Sequence, residues 1–528
     1  MSITPSKPLK AFISFPSPYT QTLLLQALVS SLPSLSISLV PPEDDDPPAL
    51  QWADYDLMSF DKPHENPRDY LISSYIYRKA LIRKHQLHLT IAEYLAKARD
   101  RGHVSVLDKE AGGWPMGWNV EIQFADELDE MWVDELYELA DALRANEDVE
   151  EADRQWFILK PGFADRAQGI RLFSTQDELQ EIFESFEPDS SDDESEAGPS
   201  NQVDAYREFK KEADKALAAM KANGLNIQDS DSDSDAARDA NDDEEQEEEE
   251  EEEEEGTGVM TSQLRHFVIQ EYVPRPVLFD IGQTPNDPES ALSGYKFHLR
   301  AYVLLTGAYT VQLSRTMLAL FSGSPYTHPT SSDGDLDLRP HLTNTCLQTD
   351  AFGAPAPPEE FIKLFWELEG LNALSASDSG YTSNGVVDRQ WLDQTFDKAG
   401  EVIAESVKAG VECGSFGLQL MPNAFEIFGV DLLLSFPPGT GGETDRLPIP
   451  RVTLLEYNAS PDFHQSGSRL RGNLAEMFKG VVEISIKPFF NLQSSDQAEG
   501  DGKGMGGIGS ERYGWRLVGK GEIRGPTV

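Results

Sequence analysis

The chain has 528 residues, room for about three or four domains at roughly 150 residues each. Its 92 acidic against 44 basic residues leave a formal charge of −48, which opposes broad electrostatic binding to nucleic acid, anionic membranes or acidic protein tails. Cys346 and Cys413 form no CxxC pair and no zinc-type cluster, so neither a disulfide framework nor a structural zinc is expected.

In chain order, Lys10 to Phe15 reads as a buried strand and Thr20 to Ser31 as a helix packed on it, the start of an α/β unit. Leu23 to Val40 is the most apolar early stretch, but Ser30, Ser31, Pro33, Ser34 and Ser36 break it. It falls short of the roughly 18 apolar residues that a membrane helix needs. With no basic leader before an apolar run, a soluble, cytoplasmic protein is expected. Pro41 to Pro48 is a loop, and Tyr70 to Ala96 is rich in helix formers. The latter carries the basic cluster Arg78, Lys79, Arg83, Lys84 and His85, either a solvated helix face or an anion contact.

Trp156 to Leu159 and Arg171 to Phe173 read as a hairpin whose loop holds Asp165 to Ile170. From Glu187 to Gly258 there are 28 acidic and 6 basic residues, ending in nine glutamates, Glu247 to Glu255. Such a segment is expected to be disordered, with Ala205 to Met220 as a candidate helix and the Asp-Ser repeat Asp229 to Asp235 as a candidate phosphorylation site. The remainder still carries −26.

His266 to Val273, Lys296 to Leu305 and Thr310 to Leu313 alternate like strands and are expected in one antiparallel sheet. Trp391 to Val407 has the spacing of an amphipathic helix. Phe425 to Phe436 and Arg451 to Tyr457 are strands, Leu470 to Lys487 a helix, and Ser494 to Ser510 a Gly-rich mobile segment.

Side chains two apart on a strand share a face, so Glu456 and Asn458 project together, and Asp431 joins them if its strand pairs alongside. Three hard oxygen donors suit Mg²⁺ held with phosphates. Taken alone, an E-x-N sequence is more often a strand-end turn than a metal site. Lys160 and Lys296 sit on strands as point charges for phosphate. Arg300 and Arg315 add forked donors of the kind that stabilise a transferring phosphoryl group.

The runs ILKPGFADRAQGI (158–170), VIQEYV (268–273), KFHLRAYVL (296–304), SRTMLALFS (314–322), HLTN (341–344), FGVDLLL (428–434) and LEYNASPDF (455–463) resemble, in order, the tubulin-tyrosine ligase-like family. Within it the sequence is most similar to a fungal branch that includes the ligase-like domain of a P-body-associated protein. The resemblance implies an α/β (α+β) chain with an ATP-grasp fold. It divides the chain into an N-terminal α/β domain (1–150), an ATP-grasp domain (151–186 and 259–490), the disordered acidic insertion (187–258) and a Gly-rich tail (491–528).

It implies ATP and Mg²⁺ as cofactors. Lys160, Lys296 and Thr343 would contact nucleotide, with Gly169 and Ile170 in a covering hairpin. Gln270, Tyr272 and Val273 would form the adenine hinge, and Lys84 would sit in an RK motif at the mouth. Arg300, Arg315 and Asn344 would surround the γ-phosphate and acceptor, and Asp431, Glu456 and Asn458 would hold the metal. The activity implied is ATP-dependent ligation of an amino acid, most familiarly tyrosine, to a protein acceptor such as a tubulin tail. The alternative is a nucleotide-binding or non-catalytic module associated with mRNA-decapping and P-body proteins. Three positions depart from the family pattern. His298 replaces an Asp that touches ribose, Leu320 replaces a second arginine, and Glu271 replaces a hinge lysine.

Overall fold

The computed structural model describes residues 9–42, 47–122, 124–162, 169–186, 266–285, 292–330, 337–344, 358–377, 380–439, 446–492 and 506–522. The acidic insertion with its candidate helix and Asp-Ser repeat, and positions 165–168 of the hairpin loop, lie outside them. The architecture is mixed α/β.

Strands β1 (Lys10–Ser14), β2 (Ser36–Ser38), β3 (Leu50–Ala53) and β4 (Leu71–Ile72) form a parallel sheet in the order β2-β1-β3-β4. Parallel neighbours need a crossover, and the helix Pro18–Ser31 supplies the first. Ser17 caps it, a proline opens it, and Leu23, Leu24 and Leu28 are buried. The helix-forming stretch after β4 becomes Lys79–Ile82 and Lys84–Asp100, with the break at extended Arg83.

A second, antiparallel sheet joins β5 (Gly117–Glu121), β6 (Phe157–Pro161), β7 (Arg171–Phe173) and β8 (His266–Glu271) in the order β5-β8-β6-β7. This corrects the expectation that the strand at His266 lies beside those at Lys296 and Thr310. Its partners are β5 and β6.

The third sheet has ten strands: β9 (Leu278–Phe279), β10 (Tyr295–Thr306), β11 (Thr310–Phe321), β12 (Ile362–Leu364), β13 (Asn372–Ser377), β14 (Gly380–Val386), β15 (Phe425–Ser435), β16 (Arg451–Asn458), β17 (Glu511–Arg512) and β18 (Trp515–Lys520). Strand β10 is central, flanked by β11 on one side and by β9 and β15 on the other. It is buried on both faces, which explains its nearly continuous apolar sequence. Leu299, Ala301, Val303 and Leu305 pack in a core with Trp391, Phe396 and Ile403 of the helix Arg389–Cys413. Tyr302 and Leu304 pack in another with Trp52 of the first sheet and Leu23 of its crossover helix. Each such large side chain contributes about 1.5–3 kcal/mol on burial, so the first and third sheets share one core. Beyond position 490, β18 pairs with β11 and Trp515 is 1% exposed.

Candidate functional site

Strands β10, β15 and β16 bring the strand-borne polar residues together by register. Arg300 is opposite Asp431 on β15, and Asp431 is opposite Glu456 on β16. Arg300 binds Asp431 through two hydrogen bonds, Nη2 to Oδ2 at 3.0 Å and Nε to Oδ1. Asn458 Nδ2 donates to Asp431 Oδ2 at 3.3 Å. Lys84 Nζ lies 3.2 Å from Glu456 Oε2, so the basic cluster of the N-terminal segment reaches this point. Burial alone would raise the Glu456 carboxyl, but Lys84, Lys160 and Arg300 bring it down to about 2.

Across the cleft, Lys160 on β6 donates to Gln270 Oε1 on β8 at 2.8 Å. Lys296 on β10 donates to Tyr272 Oη at 2.7 Å, and Tyr272 meets His341 Nδ1 at 3.1 Å. Burial lowers Lys160 to about 8, with Lys84 adding to the shift, and lowers Lys296 to about 7, with Lys160 adding. Two weakly basic ammonium groups thus face one space.

His298 is 4% exposed and its Nδ1 is 2.5 Å from Thr343 Oγ1. Its Nε2 has no hydrogen-bond partner and lies 3.6 Å from Asp431 Oδ1. Burial lowers its basicity, and Arg300 and Lys296 do so further while Asp431 opposes them.

These residues line a cleft of about 1110 Å³ between the second and third sheets, which continues to the first. Of the residues expected from sequence, Lys84, Lys160, Ile170, Gln270, Tyr272, Val273, Lys296, Arg300, Thr343, Asn344, Asp431, Glu456 and Asn458 line it. Gly169 precedes Ile170 at φ 69° and is not among the lining residues. Arg315 is not in the cleft either: it binds Glu511 at 2.8 Å and Asp393 at 3.6 Å, with its guanidinium 4.3 Å from the Phe396 ring. The cause is strand alternation: Arg315 shares a face with Met317 and Ala319, which pack with Phe396 of the helix Arg389–Cys413, whereas Leu320 of the opposite face lines the cleft.

The sequence reading passed over a second pair. Arg78 and Glu426, 2.9 Å apart, line the arm of the cleft toward the first sheet. Glu426 is 3% exposed and accepts from the Tyr75 backbone, and burial pushes its carboxyl up to about 7 against the pull of Arg78. A carboxylate inside the apolar run FEIFGVDLLL is the signal that would have marked it.

Among the described residues no three His, Cys, Asp or Glu side chains cluster closely enough to hold a metal by themselves. Asp431, Glu456 and Asn458 nevertheless offer oxygens from adjacent strands to one cleft. That donor set fits Mg²⁺, which takes one or two carboxylates and completes its shell with water and phosphate oxygens.

The tubulin-tyrosine ligase family model matches residues 58–494. The chain belongs to the tubulin-tyrosine ligase family. It is 32% identical over 497 residues to a probable tubulin–tyrosine ligase of Schizosaccharomyces pombe, covering 94% of this chain and 96% of the relative. It is 30% identical over 486 residues to the probable tubulin–tyrosine ligase PBY1 of Saccharomyces cerevisiae, covering 90% of this chain and 51% of that protein, so it spans about half the relative's length. Among solved structures it resembles the C-terminal domain of K. lactis Pby1, an ATP-grasp enzyme interacting with the mRNA decapping enzyme Dcp2. The TM-score is 0.53 and the identity 25%, over 93% of this chain and 97% of that one. Both the family membership and the ATP-grasp architecture expected from the seven sequence runs are thereby borne out.

Proposed function

We propose that this family member is an ATP-dependent carboxylate–amine ligase that joins an amino acid to a protein acceptor through an acyl phosphate. The observation that carries this reading is the convergence of Lys160, Lys296 and Arg300 on the same cleft as Asp431, Glu456 and Asn458. At about 1110 Å³ the cleft exceeds the roughly 300–1,000 Å³ of ordinary small-molecule sites, leaving room for a second reactant beside a nucleotide.

On this reading Lys160 and Lys296 hold the phosphates, Gln270, Tyr272 and Val273 frame adenine, and Thr343 touches nucleotide. Gly169 and Ile170 belong to the covering hairpin. Asp431, Glu456 and Asn458 would hold Mg²⁺, which when bound neutralises charge on the phosphates. Arg300 and Asn344 face the γ-phosphate and acceptor, while Lys84 sets the charge of Glu456. Arg315, held by Glu511 and Asp393, has no part in the reading. A carboxylate oxygen of one reactant attacks the γ-phosphorus and ADP leaves. The amine nitrogen of the other then attacks the acyl carbon, phosphate leaves, and the amine proton goes to solvent. Alignment of the two reactants and electrostatic stabilisation supply the rate.

A body carrying −26 outside the insertion repels a glutamate-rich tubulin tail, which favours a less acidic acceptor. The test uses the full chain, ATP, a panel of amino acids and peptides whose carboxylates carry ¹⁸O. Ligation through an acyl phosphate transfers one ¹⁸O to the released phosphate. ADP release without ¹⁸O transfer, or no ADP with any pair, would reject it.

A second reading has support in the K. lactis relative, which interacts with an mRNA decapping enzyme. In it the body also docks an mRNA-decapping factor in cytoplasmic granules, and co-purification of such a factor would survive Glu456→Gln.

A further inference from the structure

The second sheet has a face that the cleft does not use. On β6, Phe157 and Leu159 join one core, while Ile158 and Lys160 point the other way and line the cleft. Strand β8 alternates likewise, with Phe267 and Ile269 in that core and Gln270 in the cleft. Leu128, Leu136, Leu139 and Leu143 fill the same core. The segment that bears them, including the helix Tyr137–Glu147, therefore covers the face of the sheet turned away from the cleft.

Leu136, Leu139, Ala140 and Leu143 recur at helical spacing and are buried, which turns Tyr137, Glu138 and Asp141 outward. Before the helix the chain makes a turn closed by Leu136 N to Met131 O at 2.9 Å and Tyr137 N to Asp134 O at 3.2 Å. It leaves Val133 81% exposed and Tyr137 55% exposed. Asp129, Glu130, Asp134, Glu135, Glu138 and Asp141 flank these two side chains, and all six are exposed. From Glu121 to Asp153 there are 14 acidic residues and one basic, Arg144, which pairs with Asp141 at 2.6 Å. This segment thus holds 13 of the 26 net negative charges of the body outside the insertion. A face that is merely solvated needs its charges but not its apolar tips. A second copy of the chain, an anionic membrane or a nucleic acid would be repelled by so dense a charge.

We propose that the surface from Asp129 to Asp141 docks a lysine- or arginine-rich protein segment that brings apolar side chains to Val133 and Tyr137. The carboxylates steer a basic segment toward the turn, and burial of the two apolar side chains holds it there. Exposed acids without an apolar anchor would attract any cation, whereas the pair selects a segment that carries both properties. The inference is independent of the ligase reading, since none of these residues lines the cleft.

The test uses the full chain and two fluorescent lysine-rich peptides of equal charge, one with two leucines and one with serines in their place, each carrying a photo-crosslinker. Both peptides are also attracted to the acidic insertion, so the deciding variant removes apolar contact and no charge: Val133→Ser with Tyr137→Ser. Its affinity for the leucine peptide should fall about 10-fold, while its affinity for the serine peptide stays the same. On the native chain the leucine peptide should crosslink to residues 129–141. Glu135→Lys with Glu138→Lys should weaken the leucine peptide and flatten the salt dependence of its binding. Thermal melting checks that these exposed substitutions leave the fold intact. Unchanged leucine-peptide affinity in either variant, an equal fall for both peptides in the serine variant, or crosslinks confined to residues 187–258 would overturn the inference.

Discussion

At Glu456 burial and three cations act in opposite directions, and the cations prevail. The carboxyl is therefore charged at any physiological pH, as a metal ligand must be. Replacing it by Gln removes a charge-assisted contact worth about 1.5–3 kcal/mol, so Mg-ATP affinity should fall about 10- to 100-fold by calorimetry. The Lys84 contact is partly exposed and worth only about 0–1 kcal/mol, so the melting temperature should hardly move. Equal affinity in both forms would remove Glu456 from the site. The lysines give a second outcome. With Lys160 near 8 and Lys296 near 7, both are partly deprotonated in the free protein at pH 7.5. Phosphate favours their charged forms and raises both pKa values, so binding takes up protons and affinity falls as pH rises from 7 to 9. Calorimetry in buffers of different ionisation enthalpy reads that uptake, and proton release would contradict it. The pairing of Glu456 with Asn458 was legible because strand alternation alone puts them on one face. The unpartnered nitrogen of His298 was not, since it depends on what Thr343 and Leu320 present to the ring.

Alternation in Phe425–Ser435 and Arg451–Asn458 revealed two strands but not what stood beside them, and the same ambiguity misplaced His266–Glu271. A strand's sequence states which residues face inward, while its neighbours follow from long-range packing. Strand β18 escaped notice because it lies among glycines, yet Trp515 is 1% exposed and donates to Met477 O at 3.1 Å. A Cβ on Gly480 would approach the Trp515 ring within 2.7 Å, so this contact is close-packed. Trp515→Ala should cost about 3–5 kcal/mol in denaturant unfolding; a loss under about 1 kcal/mol would mean β18 is dispensable. Arg78 and Glu426 tie the N-terminal segment to β15 in the same way. With the two side chains 13% and 4% exposed, Arg78→Ala removes the pull that holds Glu426 near 7, so the carboxyl takes up a proton at neutral pH and the loss, about 1–3 kcal/mol, should grow as pH rises above 7, read by the same method.

At the scale of the whole molecule, three sheets contribute to one cleft. The first and third share a core, and the second supplies Lys160, Gln270 and Tyr272 from the other side. The order of the seven sequence runs conveyed this architecture through resemblance, whereas hydrophobic pattern alone conveyed only strands and helices. Charge is uneven at this scale too: the body outside the insertion carries −26 while Lys84, Lys160, Lys296 and Arg300 gather in the cleft, so a polyanion would be held there by short-range contacts against the body's long-range repulsion. The central claim is that Mg-ATP lies between the second and third sheets. Hydrogen exchange on the full chain with and without saturating Mg-ATP tests it most directly. Exchange should slow together at Lys160, Gln270–Val273, Lys296 and Glu456–Asn458, with no comparable change at Arg315 and Glu511. Nucleotide binding without protection at those strands, or protection centred elsewhere, would contradict the account.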